Sequence, residues 1–357
     1  MKTYIKFLIN LFNISFFKVF LTFFTIILIT NFLEQIEFFK NIDLNLLYLI
    51  FLSFLNTPTI LFEILPFIFL LSTQLFFIYL IDNKELEIFK YRGLNNLTII
   101  KIISIYSFVI GLIFIIFFYN TSAILKNSYL LIKNKYSEDN KYLAVITSNG
   151  LWIKDEIGKN INIINAHKVD KEFLLNVSIS QFNKKFELLN TIQSDKVDIS
   201  SYNWKIFEPL ILENDQINNL NEMTLQSNFD LKKINSLFSD LSSLTMIDLY
   251  KLRKSYKTLN YSIVDIDSHL YRIISYPIYL TLITIISAII MFNIGFQKNS
   301  FFKIILGILL SVVIYYVNYF FNILGANEKI PLIISTFMPL IILSIINFIS
   351  IIKINEK

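Results

Sequence analysis

His167 and His269 lie far apart in the chain, no H-E-x-x-H spacing joins either to a second ligand, and the chain has no cysteine. Metal centres gather such side chains at fixed spacing, so neither a metal nor a cofactor is expected. The seven glycines, at 93, 111, 150, 158, 295, 307 and 325, form no G-x-x-x-x-G-K-[ST] loop to cradle phosphates. If ATP drives this protein, it is hydrolysed in another chain. Serines are plentiful, yet none stands in G-x-S-x-G. The long apolar blocks carry few ionisable groups beyond Lys18 and Glu63, whereas a proton-coupled carrier needs a buried relay of carboxylates or histidines. Hydrolase and proton-carrier chemistry are both disfavoured.

One charged stretch stands out instead. "IYLIDNKELEIFKYRGLN" (78–95) crowds Asp82, Lys84, Glu85, Glu87, Lys90 and Arg92 between two apolar runs. On a helix Glu85 and Glu87 point to different faces, whereas Asp82, Glu85 and Phe89 roughly share one. Gly93 is placed to end such a helix in a left-handed cap. Two readings are open: a solvated turn that only orients its neighbours, or a short helix docking into a groove on an ATPase. The connection is long for a plain turn.

The elements around this island are set by composition. The 357 residues are 55% hydrophobic, with 36 Phe, and the mean hydropathy is +0.58, well above a soluble domain. Apolar blocks run over Val19–Leu33, Leu55–Ile81, Leu97–Phe118, Ile273–Phe296, Phe301–Leu324 and Ile330–Ile352. Most reach the roughly 20 residues that cross a ~30 Å hydrocarbon layer, so six membrane spans are expected. The first needs Leu8 to Lys18 to lead into it, with Lys18 snorkelling. Residues 1–15 read as an interfacial helix rather than a cleaved signal, because no small-x-small site follows.

Lys and Arg in short connections set the orientation. Lys2, Lys6, Lys84, Lys90, Arg92, Lys298, Lys303, Lys353 and Lys357 fall on one side, while only Lys40 and Lys329 occupy the alternate short connections. Both termini and the island are therefore expected in the cytoplasm, and the long middle segment outside. That segment holds 18 basic and 18 acidic residues over 121–270, leaving 14 of 32 basic and 9 of 27 acidic residues to the rest. Its balanced charge argues against nucleic acid.

Within it, "YLAVITS", "LWIKD", "INIINAHKV", "LLNVSISQFN", "KFELLN" and "WKIFEPLIL" are short, β-branched or aromatic runs parted by Asn, Asp, Gly and Lys. They predict an all-β antiparallel sandwich, with Trp152 in its core. "SSLTMIDLYKLRKSYKTLNYS" follows as a helix capped by Thr245 with Asp248. The expected division is 1–120 (interfacial helix and three spans), 121–270 (β-sandwich and trailing helix) and 271–357 (three spans).

"TPTILFEILPF" with Pro58 and Pro66, "LIDNKELEIFKYRGLN", "NGLWIKD" and "LYRIISYPIYL" with Arg272 and Pro277 together resemble the LptF/LptG permease family of the lipopolysaccharide export ABC transporter. "NFLEQI" and Trp152 look more like the LptG branch. Pro58 and Pro277 are expected in the first turns of their helices, where a missing N–H costs little. The resemblance implies a multi-pass α-helical inner-membrane protein with a jelly-roll-like periplasmic β-domain. It also implies a homologous second permease, a cytoplasmic ATPase dimer, a periplasmic bridge protein, and lipopolysaccharide drawn from membrane lipid as cargo. Asp82, Glu85, Phe89, Arg92 and Gly93 then become the ATPase-coupling residues, and the first and fifth spans the lateral gates. LptG relatives carry basic residues near the outer end of the first span for lipid A phosphates. Here Glu34 and Glu37 stand with a single cation, Lys40, as the substrate contact. The rival reading is a membrane signalling or mechanotransmission protein whose periplasmic β-domain binds a ligand. A lipid-processing enzyme would need a catalytic constellation not found in the sequence.

Overall fold

The computed structural model describes residues 3–40, 42, 44–136, 151–157, 160–170, 172–213, 216–231, 234, 240–258, 262–293 and 300–355. The run "YLAVITS", the first two residues of "NGLWIKD", and Lys298 lie outside them. The chain forms two compact units, Met1–Lys126 with Val264–Lys357, and Asn127–Ile263.

The first unit is helical. Its helices are α1 (Thr3–Phe38), α2 (Leu46–Glu63), α3 (Leu65–Asp82), α4 (Glu85–Tyr91) and α5 (Asn96–Ile113), which passes through a π-helical stretch (Phe114–Tyr119) into α6 (Asn120–Lys135), whose residues from Asn127 on belong to the second unit. After the second unit come α8 (Val264–Asn293), α9 (Ser300–Ala326) and α10 (Leu332–Asn355). Among the described residues, seven helices are long and apolar enough to cross a membrane.

Three differences from the sequence reading have physical causes. The N-terminal stretch and the first apolar block are one unbroken helix, and the first half of α1 buries Leu8, Phe12 and Phe16. Phe12 and Phe16 both pack on Phe69 (6.2 and 5.2 Å between ring centres). The second apolar block is two helices that meet at Ile64, and α2 begins nine residues earlier than the Leu55 expected. Pro66 lies in the first turn of α3, where it removes the one N–H that would have reached back to the Phe62 carbonyl and so breaks the helix at Ile64. Pro58 and Pro277, expected in first turns, lie inside α2 and α8, because α2 starts at Leu46 in an apolar run ahead of the expected block and α8 starts at Val264 in a polar stretch ahead of its apolar residues.

The break does not add a crossing. Along α1, Phe12 meets Phe76 (6.1 Å), Phe23 meets Phe67 (5.4 Å) and Asn31 donates to Thr57 (3.1 Å). The first half of α1 thus meets α3 and its later part meets α2, with Phe24 on Phe54 (6.0 Å), and backbone bonds from Ile64 N to the Ile60 carbonyl and from Ile68 N to the Ile64 carbonyl join α2 and α3 as a single bent path beside it. Asn56 also donates to Asn31 Oδ1 (3.2 Å), and such amide bonds hold helices together where hydrocarbon offers no competing water.

Helix α8 is central. Its Leu282, Ile283 and Ile286 cluster with Leu70, Ile314, Leu340 and Leu343, which come from α3, α9 and α10. Polar pins cross the same helix: Thr284 donates to Ser107 Oγ (3.0 Å), Ser287 to the Leu70 carbonyl (2.8 Å), and Asn347 to the Leu282 carbonyl (3.0 Å). A Cβ at Gly111 would sit 2.9 Å from Pro277 Cα, so only glycine lets α5 approach α8 this closely.

Among its described residues the second unit holds eight strands: β1 (Leu151–Ile157), β2 (Asn160–Asp170), β3 (Phe173–Asn183), β4 (Leu188–Asp198), β5 (Asn203–Phe207), β6 (Leu210–Glu213), β7 (Gln216–Asn219) and β8 (Glu222–Gln226). They form one antiparallel sheet, ordered β1-β2-β3-β4-β5-β8. It forks at β4, where Lys196–Asp198 pair with β5 and Thr191–Gln193 pair with β6 and so lead to β7. The described strands are thus all antiparallel, as expected, and are hydrogen-bonded through this fork.

The core alternates along the strands, as a pleat requires: Leu151, Ile153 and Asp155 face inward on β1, and Trp152 faces out at 57% exposure. Trp152 is therefore not the core tryptophan expected. That place belongs to Trp204, 0% exposed, whose Nε1 donates to the Phe229 carbonyl (2.6 Å). Buried Asp155 accepts from Ser227 Oγ (2.8 Å), Asn228 N (3.0 Å) and Asn228 Nδ2 (2.8 Å). Three donors to one carboxylate replace its water and tie the segment after β8 to β1. Helix α7 (Met246–Thr258) starts at Thr245, which accepts from Asp248 N (3.3 Å) and donates to Asp248 Oδ2 (2.6 Å).

Candidate coupling site

The charged island folds as a tight helical corner between α3 and α5. Helix α3 stops at Asp82, the Asn83 amide donates to the Tyr79 carbonyl (3.0 Å), and Lys84 turns the chain with φ +57°. Helix α4 follows with Glu85 and Glu87 in its first turn and Lys90 in its last, the arrangement that the helix dipole favours. Gly93 ends it with φ +83°. Its N–H donates to the Lys90 carbonyl (2.9 Å), and the Leu94 N–H donates to the Phe89 carbonyl (2.9 Å). This paired bonding is a Schellman motif, which requires the left-handed residue that glycine adopts freely.

Sides of α4 follow from 3.6 residues per turn. Leu86 and Phe89 point inward, and Phe89 packs on Phe7 of α1 with ring centres 6.0 Å apart. Glu85 is half-buried beside them, while Asp82, Glu87, Lys90, Arg92 and Gly93 are exposed. The outward side carries Ile88 and Tyr91, the latter 91% exposed. Sequence reasoning overlooked both. The signal was present: Leu86/Phe89 and Ile88/Tyr91 are two i,i+3 pairs on opposite sides of a helix too short to bury both. An aromatic left bare between charges, with its helix fixed at both ends, can fill a pocket on a partner.

Lys40 is exposed just past α1, as are Glu34 and Glu37. Lys303, expected in a turn with Lys298, instead lies in the first turn of α9 and is only 2% exposed. Its backbone carbonyl accepts from Gln74 Nε2 of α3 (2.9 Å). Side chains on α1 (Phe17, Leu21, Ile29, Leu33) and on α9 (Leu309, Val313, Tyr316, Phe320) leave apolar surfaces uncovered. In the β unit a cleft of about 900 Å³ opens beside the fork, lined by Asn176, Gln193, Asp195, Lys196, Glu208 and Asn219 among others. Among the described residues no group of three or more His, Asp or Glu could hold a metal ion.

The family profile described as lipopolysaccharide export system permease LptF/LptG matches residues 6–353. No curated protein matches the chain.

Proposed function

Because the chain belongs to the LptF/LptG permease family of lipopolysaccharide export, we propose that it is one permease half of an ABC transporter. In this reading it draws lipopolysaccharide from the inner membrane and passes it toward the outer membrane. Its partners are a homologous permease, a cytoplasmic ATPase dimer and a periplasmic bridge protein. The Lys and Arg distribution puts both termini and α4 in the cytoplasm and the β unit in the periplasm. "NFLEQI" and Trp152 favour the LptG branch.

The observation that carries the ATPase partnership is α4 itself. It is a capped corner, its inner side is packed, and its outer side offers Ile88 and Tyr91 among charges. Asp82 and Arg92 supply complementary charge at that surface, Glu85 stands half-buried at its edge, Phe89 holds the helix onto α1, and Gly93 sets its end. The bare faces of α1 and α9 suit lateral gates, since a gate helix must exchange neighbours. Lys40 is the cation at the outer end of α1 and the choice for a lipid phosphate contact.

Co-purification with the ATPase tests the reading. Tyr91→Ala and Glu85→Lys should each insert normally yet lose most of the bound ATPase. An aromatic anchor is worth about 2 kcal/mol or more, roughly thirtyfold in affinity. Full retention of ATPase and of lipid release in both variants would reduce α4 to a plain turn. The cleft beside the sheet fork is the one feature that favours a ligand-sensing β unit instead. Retained ATPase together with a saturable small ligand in that cleft would select that reading.

A further inference from the structure

The bend between α2 and α3 leaves a specific debt in the backbone. In a continuous helix the Phe62 carbonyl would accept from the N–H of residue 66, but residue 66 is proline and has none. A buried carbonyl without a partner is costly, most of all in hydrocarbon. The missing donor comes from another helix: Tyr276 of α8 donates its hydroxyl to the Phe62 carbonyl. Its ring also stacks on Phe62 (4.6 Å between centres, 17° between planes). Tyr119, at the end of the π-helical stretch, packs against Phe62 at 5.3 Å.

We propose that Tyr276 is a positioning residue, the latch of a hinge at Ile64 that sets the angle between α2 and α3. The latch stands on a firm base, since the next residue, Pro277, is the one pressed against Gly111 of α5. The two halves of the bent path also have different companions. Helix α2 lies along the outer half of α1 through Asn31, Asn56 and Thr57, whereas α3 packs on α8 as well as on α1. Releasing one hydroxyl therefore loosens the joint at Ile64, and α2, still held to α1 through Asn31 and to the Ser122 carbonyl through Thr59 (3.1 Å), changes its angle to α3 within those contacts. Neither the export reading nor its partners enter this inference, so its failure would leave them standing.

The purified full-length chain in lipid nanodiscs tests it by amide exchange over residues 62–68. Tyr276→Phe keeps the ring and removes the hydroxyl, and should speed exchange there about tenfold with no change in α10 or the β unit. Pro66→Ala restores the missing N–H, so adding Tyr276→Phe to that variant should change nothing further. A second measurement guards against misfolding of the Pro66→Ala variant. Because the chain has no cysteine, spin labels can be placed only at Phe51 and Tyr79, exposed on α2 and α3. Their distance distribution should broaden in Tyr276→Phe. Wild-type exchange and an unchanged distribution in Tyr276→Phe would overturn the latch. So would an equal acceleration with and without Pro66, because the hydroxyl would then act on something other than the carbonyl proline leaves unpaired.

Discussion

Helices α8 and α9 are alike in composition and opposite in situation. Their spans, Val264–Phe292 and Phe301–Ala326, have mean hydropathies of 2.1 and 2.2, yet 72% of the most apolar window is buried in the first and 11% in the second. Lipid and protein interior are equally apolar solvents, so hydropathy reports that a helix leaves water and not what surrounds it. What separates the two is the small and polar minority. On α8, Thr284 and Ser287 bond to neighbouring helices and Pro277 meets a glycine. On α9, Tyr315, Tyr316 and Tyr319 stand exposed, and Gly307 lies against the Gln74 side chain of α3.

The same contrast occurs between the two tryptophans of the β unit and gives the largest expected effect. Trp204→Ala should destabilise that unit by about 3–5 kcal/mol, while Trp152→Ala should fall within about 0.5 kcal/mol of wild type. Pulse proteolysis of the full chain across a urea series reads both. Similar losses would mean that residue type, not position, sets the cost.

Next is the α5–α8 contact. Gly111→Val forces a side chain into a site where the nearest atom, Pro277 Cα at 2.9 Å, is backbone and cannot swing away. Overpacking should cost about 1–3 kcal/mol, seen as a lower melting temperature in detergent, whereas Leu309→Ala on the bare face of α9 should leave it nearly unchanged. Equal shifts would erase the distinction between the two helices. The smallest effect belongs to the point where α9 is pinned. A Cβ at Gly307 would come 2.1 Å from Gln74 Nε2, but that atom is the tip of a flexible side chain. Gly307→Ala should therefore cost only the Gln74–Lys303 hydrogen bond, about 0.5–1.5 kcal/mol. In a double-mutant cycle with Gln74→Ala most of that cost should disappear.

Much of this fold was legible in the sequence. The apolar blocks point to a multi-pass helical protein, and the island and strands β1, β2, β3, β5 and β6 fall where short-range patterns put them, because spans, turns and alternation are local signals, whereas most of β4 and the polar β7 and β8 carried no such pattern. Whatever depends on a distant partner was not legible. Gln35 and Asn31 near the end of α1 read as ordinary polar residues until α2 lies beside them. Trp152 reads as core because it is large, although Leu151 and Ile153 on either side already fix its direction by alternation. Which of the two pairs on α4 faces inward, Leu86/Phe89 or Ile88/Tyr91, is settled only once α1 supplies Phe7. Asp155 draws no notice, since its three donors all lie more than 70 residues away.

The wide turn at Phe114–Tyr119 bears on how the chain tolerates changes of length. A π-helical stretch accommodates one residue more than the α-helical frame needs, so the segments on either side keep their rotational phase. Losing one residue inside it would let the stretch rewind as α-helix, with Tyr119 still facing His269, its 3.1 Å hydrogen-bond partner. The same loss within α5 would have no such slack and would carry Tyr119 about 100° around the helix axis, away from His269 and from Phe62. A single helix thus holds one stretch where length is free to vary beside another where it is fixed.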